Sequence, residues 1–329
     1  MPSSKSKILM SVAVFCVVFG FSLTFGPQGI AYINDGMPED LLETILWDIR
    51  LPRLLVACLS GGALAVAGVI SQGVFRNPLA GPSIIGTVSG ANLLVVLLMF
   101  TGFAEGNWLA QPLAAFLGSL LSTLVILKMS QKESFKSSGS LLLLGFSINA
   151  ICAAATTFLL SLSMNEYNLS QSIMYWLLGG FNGKGWHHLW MGAPLLITGL
   201  VVAFRVAMKL NVLNLGEEIA QTLSIPVSSV KTLSIVAIAI LVAASVASSG
   251  GISFVGLIVP HMTRIYMGAE HKNLMRVSFF NGMTLVVLAD TFARTLWAPQ
   301  EIQVGAILSL IGAPLFVVLL LLGQEKGRA

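Results

Sequence analysis

Charge is scarce in this sequence. Only 10% of its 329 residues are Asp, Glu, Lys or Arg, while 56% are hydrophobic. A soluble domain carries roughly 25% charge, so the chain has too little polar surface to cover a water-facing globule. Mean hydropathy is +0.87, and the solvent such a chain expects is lipid. Cysteine is scarce too. Cys16, Cys58 and Cys152 lie in apolar runs with no C-x-x-C spacing, which excludes a disulfide framework and a cysteine metal site and leaves three small hydrophobes. Histidine is limited to His187, His188, His261 and His271. The first two are adjacent and point apart on a helix, so no metal cluster is expected. The G-x-x-x-x-G-K-[ST], H-E-x-x-H and G-x-S-x-G patterns are all missing. No catalytic residue is assigned, and any ATP that drives this chain must be bound by another subunit.

What the sequence does have is long apolar runs. A helix crossing the hydrocarbon core needs about 20 apolar residues. Segments 8–26, 54–74, 84–103, 109–129, 140–163, 187–206, 231–249, 252–267, 274–297 and 303–323 fit that description, the eighth being short and holding Pro260. The runs do not alternate as barrel strands would. The expected fold is therefore an all-α integral membrane bundle of about ten transmembrane helices, one transmembrane domain over residues 1–329. Lys5 and Lys7 precede an apolar stretch from Ile8 to Phe25. With no small-x-small cleavage site close behind, it reads as a retained first span.

Short helices join the spans. Pro38 suits a helix start. Leu41, Leu42, Ile45 and Leu46 then oppose Glu39, Glu43 and Trp47, the pattern of an interfacial amphipathic helix. Two more short helices are expected over 171–178 and 215–223. Orientation follows from the basic residues, which collect on cytoplasmic loops. With both termini in the cytoplasm, all but four of the 18 basic residues fall inside. The outer loops then hold the acids Asp35, Glu39, Asp40, Glu43, Asp48, Glu105, Glu166 and Glu301. The +4 net charge reflects that inner rim, with membrane lipid as the neighbour and no nucleic acid invoked.

The four exceptions are Arg50, Arg53, Lys184 and Arg294. An outer arginine serves topology poorly, so it either docks a soluble partner through carboxylates, snorkels to lipid head groups, or pairs with Asp48 or Asp290. Asp290 is the one acid well inside a span. An intramembrane carboxylate is a proton-relay candidate, but Arg294 stands four residues on and is expected to pair with it. In the second span Gly61, Ala65 and Gly68 supply small residues that let helices approach or line a pathway. Asn77 stands in the helix-breaking turn Arg76–Pro82, and Ser89 and Gly90 open the third span, where unwound backbone would line a cavity. Leu215, Gly216, Glu217, Glu218, Ala220 and Leu223 form a charged amphipathic patch on the cytoplasmic side.

Several ordered blocks carry a resemblance: Arg50-Leu51-Pro52-Arg53, Gln72-Gly73, Asn77-Pro78-Leu79-Ala80, Tyr175 to Gly180, Leu215 to Glu218, Gly251 to His261, Ala289-Asp290 with Arg294, and Gly312-Ala313-Pro314. Across nearly its full length the chain resembles the FecCD-type permeases of ABC importers for iron–siderophores, haem and cobalamin. The resemblance implies a type II, cobalamin-importer-like bundle in a bacterial plasma membrane. It also implies a second permease subunit, identical or homologous, two cytosolic ATP-binding subunits that hold the ATP and Mg²⁺, and an extracellular or periplasmic substrate-binding protein. In this family, arginines matching Arg50, Arg53 and Arg294 meet carboxylates of the binding protein, and the stretch 215–230 carries the coupling helices that contact the ATPase. The sequence departs from the family at Leu223-Ser224, where Leu-Gly is usual, and at Glu301-Ile302-Gln303, where Glu-Leu-Pro is usual. Ser224 tolerates a positive φ less well than glycine. The rival class is an ion-gradient-driven secondary transporter, which needs intramembrane acids and broken helices at matching points of two repeats. The sequence offers one acid and no clear repeat.

Overall fold

The computed structural model describes residues 4–26, 39–83, 86–103, 107, 109–130 and 138–326. Pro38, Asp35, Glu105 and the first residues of segment 84–103 lie outside them. Among the described residues every element is helical: α1 Ser4–Thr24, α2 Glu39–Thr44, α3 Leu51–Val74, α4 Thr87–Phe100, α5 Ala110–Ser130, α6 Ser138–Leu162, α7 Tyr167–Leu178, α8 Trp186–Leu213, α9 Glu217–Thr222, α10 Val227–Ser249, α11 Val255–Met267, α12 His271–Thr295 and α13 Val304–Lys326. Each of the ten expected spans falls on one helix. Among the described residues six are long and apolar enough to cross a membrane, and α4 and part of α13 are shorter apolar helices. The 13-residue α11 reaches only about 20 Å at 1.5 Å per residue, less than the hydrocarbon core. The 25-residue α12 has the length but keeps polar groups, of which Ser278, Asp290, Thr291 and Arg294 are buried in the bundle.

The interfacial helix is present but not separate. α2 runs through a π-helical turn at Ile45–Arg50 straight into α3. Helix α3 is the axle of the fold, packed by α12, α10, α8 and α11 and buried at every residue but Leu51 and Leu55. Lipid offers no hydrophobic drive between helices, so close packing must hold them. The small residues provide it. A Cβ on Gly61 would stand 2.3 Å from the Gly282 carbonyl oxygen, and one on Gly68 would stand 1.8 Å from that of Gly256. Ala65 abuts Gly282 in the same seam. Thus Gly61, Ala65 and Gly68 are packing positions that bring α12 and α11 onto α3. Gly90 does the same between α4 and α5, against Gly118.

The remaining pathway candidates have local roles. The Asn77 side chain accepts the Leu79 N–H at 2.8 Å, an Asx turn that reverses the chain after α3. The Ser89 hydroxyl donates to the Gly86 carbonyl at 3.0 Å and meets Asn149 Oδ1 at 2.5 Å. Ser89, Gly90 and Ala91 are helical within α4, a correction to the unwound backbone expected there. The non-helical stretch sits elsewhere, at Gly250–Phe254 between α10 and α11. It is enclosed by protein: the Gly251 N–H donates to the Trp176 carbonyl at 3.0 Å and the Gly180 N–H to that of Ser249 at 2.8 Å. Irregular backbone at membrane depth is tolerated in such an enclosure. Cys58 and Cys152 are buried, whereas Cys16 is exposed on α1.

Candidate functional site

At the N-terminal end of α3 the three singled-out arginines converge. Arg50, Arg53 and Arg294 are all buried, at 8%, 8% and 3% exposure. Arg53 is the centre of the cluster. Its Nε and Nη2 donate to Asp290 at 2.8–3.1 Å, and its Nη1 donates to both Glu301 oxygens at 3.0 and 3.1 Å. The planar fork thus serves two carboxylates at once, the geometry for which arginine is suited and lysine is not. Asp290 is wholly inaccessible, while Glu301 keeps 24% of its side chain exposed.

The expected pair between Asp290 and Arg294 is replaced by Asp290–Arg53. Asp290 faces α3 across the helix interface and not along its own helix. Arg294 donates instead to the Ser22 carbonyl, and Arg50 Nη1 donates to those of Leu23 and Thr24 at 3.0 and 3.1 Å. These are the last carbonyls of α1, which have no partner within the helix. Two guanidinium groups therefore cap the negative end of the α1 dipole, helped by a buried Ser22–Thr291 hydroxyl contact at 2.7 Å. In this conformation none of the three arginines offers a bare cation to the outside. Glu301 is the residue that sequence reasoning passed over. Its signal was its place among the acids assigned to the same face as the arginines.

At the other end of α3 lies the second cluster. Glu217, at the start of α9, accepts from Arg76 Nη2 at 2.6 Å and from Lys231 Nζ at 2.9 Å. Partial burial would raise its carboxyl, but the hydrogen bonds and charges of Lys231 and Arg76 outweigh this and hold it below the usual range. Of the remaining residues singled out here, Ala220 is buried, while Leu215 and Leu223 are exposed at 67% and 59%. Ile219 is exposed too, so three large apolar side chains in and beside α9 are left uncovered. Gly216 precedes α9 at φ +136° and Glu218 is exposed. Ser224 takes φ +56°, the left-handed value at which the family pattern has glycine. The Ile225 N–H donates to the Ala220 carbonyl and the Ser224 N–H to that of Gln221, both at 2.9 Å, which closes the helix in a Schellman turn.

The sequence matches the FecCD transport family over residues 8–322. The chain belongs to that family. It is 39% identical over 291 residues to the hemin transport system permease protein of Yersinia pestis, covering 88% of this chain and 86% of the relative. It is 38% identical to a cobalamin import system permease protein of Halobacterium salinarum, covering 96% and 88%. It is 34% identical to an iron(3+)-hydroxamate import system permease protein of Bacillus subtilis, covering 97% and 98%. A solved structure of an inward-facing metal-chelate type ABC transporter shares the fold at a TM-score of 0.84 and 31% identity, covering 95% of this chain and 98% of that one. The all-helical permease bundle expected from the sequence is therefore the fold of this FecCD chain.

Proposed function

We propose that this FecCD chain is the translocation subunit of an ATP-driven importer that carries an iron chelate of the siderophore type into the cytoplasm. The observation that carries this reading is the family match across residues 8–322. The chain would pair with a second permease, identical or homologous, over two ATP-binding subunits that hold the ATP and Mg²⁺. Haem is the second cargo reading, favoured by the 39% identity to a hemin permease. Both termini would be cytoplasmic, with α9 and the stretch 215–230 gripped by the ATPase. The uncovered apolar side chains of Leu215, Ile219 and Leu223 support that placement.

Docking of a binding protein would occur at the opposite end. Because Arg53 is already clamped, an incoming carboxylate would have to exchange with Glu301 at the guanidinium's outer edge. The bundle would then alternate between outward and inward states, biased only by differential contacts in each. The test is uptake into sealed vesicles by the reconstituted assembly. ATP-dependent accumulation of a ferric chelate, requiring both the ATPase and the binding protein, is expected. Uptake driven by an ion gradient with no ATPase present hands the chain to the secondary transporters.

A further inference from the structure

Three of the four outer cations belong to the arginine cluster. The fourth, Lys184, does not. It follows α7 and lines a cavity of about 350 Å³ shared with Trp176, Tyr175, Asn182, Gln111 and Gln303. Its ammonium stands 5.5 Å from the centre of the Trp176 ring. Among the described residues no carboxylate lines the cavity or pairs with Lys184. Trp176 is only 6% exposed, and its indole N–H is buried with no hydrogen-bond partner. A buried donor without an acceptor costs free energy comparable to a lost hydrogen bond. His188, also at the cavity wall, accepts the Gly185 N–H at Nδ1 over 3.3 Å. Its other ring nitrogen is therefore left as a donor. Lys184 and the His188 donor thus line a space whose other polar side chains are neutral among the described residues, Gln111, Asn182 and Gln303 included.

The cavity lies at the same end of the bundle as the arginine cluster. Gln303, which contributes an amide where the family pattern has proline, is two residues from Glu301, the partner of Arg53. Trp186 at the start of α8 donates to the Trp47 carbonyl at 3.0 Å, in the turn that leads to Arg50. Tyr175 is half-exposed, so the cavity has a mouth.

We infer that this cavity is a cargo contact for an anionic oxygen group, a carboxylate or a catecholate, with Lys184 as its counter-charge. The importer would accordingly favour negatively charged metal chelates over neutral ones. The inference rests on the importer reading above. Burial lowers the Lys184 ammonium to about 8. Charge recognition in a partly desolvated pocket is stronger than in water.

The test uses the full assembly, permease with its ATPase and binding protein, in proteoliposomes. Uptake of anionic ferric tris-catecholate and of hemin is measured beside that of neutral ferric tris-hydroxamate. The wild-type assembly is expected to prefer an anionic chelate. Lys184→Gln should lower uptake of that chelate about tenfold and leave the neutral one within about twofold, about 1.4 against 0.4 kcal/mol. Lys184→Arg should retain the preference. A wild-type preference for the neutral chelate, no preference at all, or an equal loss of both in Lys184→Gln overturns the assignment and leaves the importer intact. Absence of ATP-driven uptake for every chelate sinks the importer reading itself, and this one with it.

Discussion

Arg53 stands in the first turn of α3 and Arg76 just past its last, and each holds a carboxylate. At the first end the ion pair is dry: the Arg53 and Asp290 side chains are 10% and 0% exposed. At the other end it is wet: Arg76 and Glu217 are 38% and 37% exposed. The same chemistry has different consequences in the two places. A buried pair adds little beyond its own desolvation cost, yet removing one partner strands a charge. An exposed pair is screened, and its removal is nearly free. The dry cluster therefore fixes geometry, tying α1, α3, α12 and the approach to α13 into one block. The wet cluster joins the loop after α3, the six-residue α9 and the first turns of α10, and its screened pairs can part and re-form at little cost.

The largest effect should fall on that contrast. Asp290→Ala leaves the Arg53 guanidinium with Glu301 alone and should cost about 3–5 kcal/mol. This would be seen as a lower unfolding temperature or loss of monodisperse protein in detergent. Glu217→Ala should cost under about 1 kcal/mol by the same measurement. Equal losses would mean that burial does not separate the two clusters. A carboxylate held below its usual range contributes stability above an unfolded value of about 4.3 that is lost as pH falls through its folded value. Any contribution from Glu217 is thus present at neutral pH and disappears only in acid.

A smaller effect sharpens the dry end. Glu301→Gln removes the charge at the outer edge of Arg53 and leaves Asp290 in place. If a binding protein docks there through its own carboxylates, its affinity should rise about fivefold, roughly 1 kcal/mol, in a detergent binding assay at low salt. Unchanged affinity would detach Arg53 from docking without touching the fold. This variant is preferable to charge reversal at Arg53, which would place a third acid beside Asp290 and Glu301.

The arginines were legible in the sequence and their partners were not. An arginine on the outer side violates a charge bias that is summed along the chain, so counting finds it. Asp290 and Arg53 are 237 positions apart, and only the packing of α12 on α3 brings them together. The sequence favoured Arg294 because four residues make neighbours on one helix face. That rule is local, and a buried interface overrode it. The spans were legible because lipid demands apolar length. Helix α11 was the weak case for a physical reason: protein and not lipid surrounds its non-helical approach, so it need not span. Lys184 was visible as an exception, but its cavity is assembled from segments as distant as Gln111 and Gln303, and no spacing rule connects them.

The smallest effect tests what limits the wet end. Its ion pairs are screened, so backbone conformation should matter more there than charge. Ser224 occupies the left-handed position of the Schellman turn, φ +56°, where a side chain clashes with the backbone and glycine does not. The hydrogen bonds of the turn are main-chain and survive the change. Ser224→Gly should therefore stabilise, by about 0.5–1 kcal/mol once the extra freedom of glycine in the unfolded chain is set against the relieved strain. The measurement is the unfolding temperature, or the protection of the α9 amides from hydrogen exchange, which reports the local turn directly. Increased protection at residues 220–225 with no change around Arg53 would place the strain in that turn. Decreased protection would mean that the serine is there for a contact and not despite its conformation, and the contrast between a strained wet end and a charge-locked dry end would fail.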